Sequence, residues 1–130
     1  MIVVDASVIL ELLLRRPATR AIEPRLFRRG ETLHAPHLLD LEVAQVLRCY
    51  AAKGELGPDR GDEALEDLRD LGIHRYAHEP FLSRIWKLRG NLTAYDAAYV
   101  ALAEALDAPL LTRDRKMAQA QGHRAKIEVI

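Results

Sequence analysis

Short apolar runs alternate with helical stretches along the whole chain, and this alternation limits the fold more than any other feature. IVVD (2–5), TLHAP (32–36), IHRYA (73–77), PLLT (109–112) and KIEVI (126–130) read as strands. Between them lie helical segments at 7–14, 37–53 (ended by Gly54), 58–71 (opened by Pro58 and closed by Gly72), 79–89, 93–107 and 114–121. A further helical stretch at 18–29 carries Pro24, which should break or kink it. Strands separated by helices pair in parallel, and parallel sheets are covered by helices on both faces. The expectation is an α/β fold: a three-layer α/β/α sandwich around a mostly parallel sheet of four to five strands. At 130 residues the chain is long enough for one core but not two, so residues 1–130 read as a single domain.

Composition excludes several classes. Apolar residues make up 49%, which suits a globular chain rather than a disordered one. Lys plus Arg and Asp plus Glu are 19 each, so any nucleic-acid surface has to be a local patch. Cys49 is the single cysteine, which excludes an internal disulfide and fits a reducing cytoplasm. The apolar stretch from Ala6 to Leu14 contains Glu11 and is too short to span a bilayer, and no basic leader precedes it. The expectation is a soluble cytoplasmic protein with no membrane association.

Four acids carry the functional reading. In an open parallel sheet, ligands bind beyond the carboxyl ends of the strands. Asp5 ends the first strand and Asp114 follows the fourth, so both reach that edge, although either is also a good helix N-cap. Glu42 shares its helical surface with Leu38, Leu39, Val46 and Cys49, and Asp96 with Leu92, Tyr99, Val100 and Ala103. A carboxylate in an apolar stripe needs a partner or a cleft, because burying it unpaired costs several kcal/mol. For Glu42 the partner could be an arginine elsewhere; for Asp96 the alternative is a short capping box with Thr93. Asp40 points about 160° away from Glu42 and reads as a first-turn acid favoured by the helix dipole. Four carboxylates in one cleft repel unless a cation holds them. Oxygen-only ligands suit Mg²⁺ or Mn²⁺, and metal-assisted hydrolysis is the chemistry that follows. Ser7, Thr93 and Thr112 could add hydroxyl contacts to the metal's water or to substrate, or serve as ordinary caps.

Three segments, VVDASVILELL, APHLLDLEVAQVLR and LTAYDAAYVALAEALDAPLLTRDRKMA, together resemble the PIN-domain family, and more narrowly the VapC toxins of type II toxin–antitoxin pairs. The resemblance covers essentially the whole chain. It implies a PIN-like sandwich and a Mg²⁺- or Mn²⁺-dependent endoribonuclease, with the family's four acids falling on Asp5, Glu42, Asp96 and Asp114. It also implies RNA substrates such as tRNA or ribosomal RNA loops, a homodimer, and silencing by a cognate VapB antitoxin. Gln45 departs from the pattern, since many relatives carry Asn three residues after the glutamate.

Arg15, Arg16, Arg113, Arg115 and Lys116 follow elements expected to end beside the acids, and could hold RNA phosphates; solvated helix ends are the other reading. His74 and His78 lie in strand and turn, which argues against a shared metal face. A phospho-aspartate receiver fits poorly, because DAS lacks a second acid and PLLTRD lacks the lysine. Nucleotide-binding glycine loops are absent. A PIN fold that only binds, or a nuclease acting on DNA, are the remaining alternatives.

Overall fold

The computed structural model describes residues 1–130. Five strands form one sheet: β1 (Ile2–Val4), β2 (Leu33–Pro36), β3 (His74–Tyr76), β4 (Leu110–Thr112) and β5 (Ile127–Val129). They stand in the order β3-β2-β1-β4-β5 and every neighbouring pair is parallel. The helices are α1 (Ala6–Leu13), α2 (Thr19–Leu26), α3 (Leu38–Ala52), α4 (Pro58–Asp70), α5 (Leu82–Lys87), α6 (Ala94–Leu106) and α7 (Arg115–Gln119). The α/β sandwich expected from the sequence is therefore the observed fold. No helix is long and apolar enough to cross a membrane.

Side-chain alternation along β1 builds both halves of the core. Ile2 and Val4 join Val8, Ile9, Leu39 and Val43 on one face, while Val3 joins Tyr99, Val100 and Leu102 on the other. Helices α1 to α4 cover the first face, and α5 to α7 the second. Because both faces are buried, central strands carry apolar runs, as in IVV and the two leucines of LLT, while the buried Thr112 has a hydrogen-bond partner in Asp5.

The helix boundaries follow local chemistry. Gly54 and Gly72, with φ of 74° and 66°, take the left-handed turn after α3 and α4. Two expectations need correction. Helix α2 runs through Pro24 and ends two residues later, at Leu26. Pro24 sits on the exposed side, and burial of Ile22 and Leu26 on the opposite stripe outweighs one missing backbone bond. The helix expected at 79–89 is a 3₁₀ turn at Glu79–Phe81 followed by the short α5, with Pro80 in the turn. On α5, Ile85 is buried, while Trp86 is 67% exposed and lies under the Arg89 guanidinium.

The chain winds from β1 outward to β3, then returns to the other side of β1 for β4 and β5. The order reverses between β1 and β4. Open parallel sheets bind ligands beyond the carboxyl ends of the strands at such a switch point, and Asp5 and Asp114 follow the two strands that meet there.

Candidate metal centre

Asp5 is the most enclosed of the four acids, only 6% exposed. Each of its oxygens receives a hydroxyl: Ser7 donates to Oδ1 at 2.6 Å and Thr112 donates to Oδ2 at 2.5 Å. Oδ1 also accepts the Val8 amide at 3.2 Å, which makes Asp5 the N-cap of α1. Both hydroxyl oxygens in turn accept backbone amides from the segment after β4. Arg113 N–H donates to Ser7 at 3.0 Å, and Asp114 N–H donates to Thr112 at 3.0 Å. Two amide-to-hydroxyl-to-carboxylate links therefore stitch the end of β1 to the end of β4. They orient Asp5 while leaving it unpaired by any cation.

Asp114 caps α7, its Oδ1 accepting the Lys116 and Met117 amides at 2.8 and 3.4 Å. Thr93 caps α6 by accepting the Asp96 amide at 3.2 Å. The reciprocal half of a capping box, from the Thr93 amide to the Asp96 carboxylate, does not form. Glu42, in the second turn of α3, accepts a 2.5 Å bond from the Tyr99 hydroxyl on α6. Its partner is thus a phenol rather than an arginine. Asp40 does point elsewhere, to a two-pronged pairing with Arg75 on β3 at 2.7 and 3.0 Å.

The electrostatics join the four acids into one group. Burial pushes the Asp5 carboxyl above its ordinary value, against the pull of its hydroxyl donors. Burial raises Glu42 as well; the Tyr99 bond opposes it and the charges of Asp5 and Asp96 add to it. Asp96 is raised by burial and by the charges of Asp114 and Asp5. Every ion pair in the molecule lies elsewhere, so no Lys, Arg or His nitrogen compensates these four groups. By contrast Glu104, also nearly enclosed, is met by Arg84 at 3.0 and 2.9 Å and by Arg124. This protein neutralises a buried carboxylate where its role is structural, and leaves the cleft acids bare.

No three acidic side chains converge closely enough here to enclose an ion. They are near enough to act on one another all the same: the charges of Asp5 and Asp96 raise Glu42, and those of Asp114 and Asp5 raise Asp96. The donor set itself, four carboxylates with net negative charge and no cation among them, fits a hard divalent ion such as Mg²⁺ or Mn²⁺.

The basic candidates divide. Arg15 does not border the acids. Helix α1 starts at the carboxyl edge and runs back along the sheet for about 12 Å, so its far end lies at the opposite edge. There Arg15 lines a surface cavity with Glu23, Phe27, Asp67 and Asp70. The sequence placed it correctly after a helix, but at the wrong end of that helix. Arg113 follows β4, yet its guanidinium donates to the Ile130 carbonyl at 2.9 Å and lies 3.7 Å from Glu11. Arg115 and Lys116 open α7 beside Asp114, exposed and without ion-pair partners. The histidines are spent on structure: His74 stacks on His34, and His78 Nε2 accepts the Leu38 amide at the start of α3.

Sequence reasoning took Tyr99 as part of the apolar stripe around Asp96 and missed its hydroxyl. The spacing was the available signal, because residues three apart on α6 leave the helix on one side. Ser7 and Thr112, read either as contacts to metal water or substrate or as ordinary caps, both donate to Asp5.

Residues 2–122 match the family model described as PIN domain. The chain is 42% identical over 130 residues to a Mycobacterium tuberculosis protein named Ribonuclease VapC12, covering all of this chain and 99% of that one. Among solved structures it superposes on Mycobacterium tuberculosis VapC20, titled a sarcin-ricin loop cleaving toxin. That match has a TM-score of 0.71 at 11% identity and covers 92% of this chain and 94% of the other. It also matches a toxin–antitoxin complex from Klebsiella pneumoniae at TM-score 0.61 and 18% identity, covering 88% and 87%. A family model spanning nearly the whole chain and a full-length relative at this identity place it plainly: the chain belongs to the PIN-domain family, among relatives named as VapC ribonucleases.

Proposed function

We propose that this protein is a VapC-type endoribonuclease that hydrolyses RNA phosphodiester bonds with the help of Mg²⁺ or Mn²⁺. The observation that supports the reading is that Asp5, Glu42, Asp96 and Asp114 act on one another electrostatically, with no cation to balance them, and that Asp5 and Asp114 follow the two strands at the switch point. Asp5, Glu42 and Asp96 hold the catalytic metal, and Asp114 completes the site or binds a second ion. When bound, the divalent ion supplies the charge that offsets the cluster and polarises both the phosphate and the attacking water. Ser7 and Thr112 hold Asp5 in one orientation. Arg115 and Lys116 hold RNA phosphates, with Thr93 as a further substrate contact. Preference for RNA is supported by the relatives' names, since metal-assisted hydrolysis serves DNA equally well.

The same reading includes a VapB-like antitoxin partner, supported by likeness to a toxin–antitoxin complex, and a homodimer in a cytoplasmic setting. The test is cleavage of total cellular RNA by antitoxin-free protein with Mg²⁺ or Mn²⁺ against EDTA, alongside Asp96→Asn. Discrete metal-dependent fragments that disappear in the variant support the reading. Folded protein that cuts single-stranded DNA but not RNA would reassign the substrate, and folded protein inert with either metal would leave a binding-only PIN fold.

A further inference from the structure

Glu42 receives a single side-chain hydrogen bond, and the donor is Tyr99. Tyr99 stands three residues after Asp96, so α6 sends one carboxylate and one hydroxyl to the same side. Its ring is 1% exposed and belongs to the core under α6, with Val3 and Leu110. The hydroxyl reaches past that core to Glu42 on α3, which packs on the opposite face of the sheet. The bond therefore links the two helical layers.

A phenylalanine would fill the same volume, so the core itself does not call for the hydroxyl. The hydroxyl matters to Glu42. Glu42 is half-buried, repelled by Asp5 and Asp96, and carried on a side chain with several rotamers. Without a donor it would swing toward water. The Tyr99 bond ties Oε1 and leaves Oε2 with no protein partner. The arrangement parallels Asp5, which Ser7 and Thr112 orient in the same manner. We infer that Tyr99 is a positioning residue, whose hydroxyl fixes Glu42 near Asp5 and Asp96 and leaves Oε2 free to ligate a cation that these acids would hold. The inference rests on the metal-site reading above.

The test is direct Mn²⁺ binding, followed by the electron paramagnetic resonance signal of free Mn²⁺. It compares the full antitoxin-free chain with Tyr99→Phe, Glu42→Gln, the double variant and Asp96→Asn, each also melted without metal. Outer-shell partners of metal ligands are worth about 10–100-fold in affinity, and a loss of that size is expected for Tyr99→Phe with a melting temperature close to wild type. Combined with Glu42→Gln, the tyrosine substitution should cost nothing further, because its effect runs through that carboxylate. Wild-type affinity in Tyr99→Phe while Asp96→Asn loses the metal would overturn the positioning role and leave the metal site standing. Multiplying losses in the double variant, or a Tyr99→Phe chain that does not fold, would also overturn it. A wild-type chain that binds no Mn²⁺ removes the metal site itself, and this inference with it.

Discussion

Replacing Asp96 by Asn should make the metal-free protein more stable, and this outcome separates a functional carboxylate from a structural one. Asp96 is half-buried at the third position of α6, raised by burial and by the charges of Asp114 and Asp5, and no basic group pairs with it. Asparagine keeps the shape and removes the charge, and the Thr93 cap survives because it engages the Asp96 amide. The helix dipole favours an acid in this turn by about 0.3–1 kcal/mol, and partial exposure screens the repulsion. Relief of a strained functional charge is commonly worth about 0.5–2 kcal/mol, and we expect a net gain in that range. For 130 residues the unfolding entropy is roughly 0.27 kcal/mol/K, so the melting temperature should rise by about 2–7 °C. The sign also sets the pH dependence. A carboxyl raised in the folded state costs stability once pH passes that raised value, and costs nothing below its unfolded value of 3.8. The gain should be full at pH 7.5 and vanish near pH 3.5. Saturating Mn²⁺ should reverse the order, because binding at about a hundred times Kd stabilises only wild type, by about 2.7 kcal/mol. The assay is differential scanning calorimetry at both pH values, with and without Mn²⁺. A fall in melting temperature for metal-free Asp96→Asn at pH 7.5 would refute the reasoning and make the carboxylate a structural cap.

Arg84→Ala should do the opposite: it removes the two-pronged partner of the nearly enclosed Glu104 and should cost about 2–3 kcal/mol in urea unfolding, with RNA cleavage per folded molecule unchanged. Burial, the neighbouring His74 and the N-terminal amine hold His34 below its ordinary 6.5, between Thr32 and Tyr76. Its contribution to stability is therefore complete above pH 6.5 and lost as pH falls through its folded value; melts from pH 7.5 to 5 should show a drop that His34→Gln reduces. Ala at both Arg115 and Lys116 should raise KM for RNA by about tenfold at 150 mM salt, leave kcat nearly unchanged and flatten the salt dependence of kcat/KM. An unchanged KM would place the phosphate contacts elsewhere.

The sheet was legible because its strands are buried on both faces and so are written as apolar runs, while Pro58, Gly54 and Gly72 mark the helix ends at little cost. Glu42 and Asp96 stood out as candidates because they contradict the apolar stripes that carry them. Contacts between elements were the hidden part. Nothing local in LEVAQ says that a phenol 57 residues away will hold Glu42, or that Arg75 will take Asp40. The common partner of Ser7 and Thr112 was hidden as well, because it is fixed only once β1 and β4 lie side by side. Arg15 was misplaced for a geometric reason. A helix after a strand runs antiparallel to it, so its last residues return to the edge where the strand began.

Crystals grown with Mn²⁺ and measured at the manganese absorption edge test the central claim most directly. An anomalous peak bounded by the carboxylates of Asp5, Glu42, Asp96 and Asp114, and missing in Asp96→Asn, is the predicted result. The contradicting result is an empty cleft at a Mn²⁺ concentration that supports RNA cleavage, for then the chemistry would not run through these four acids.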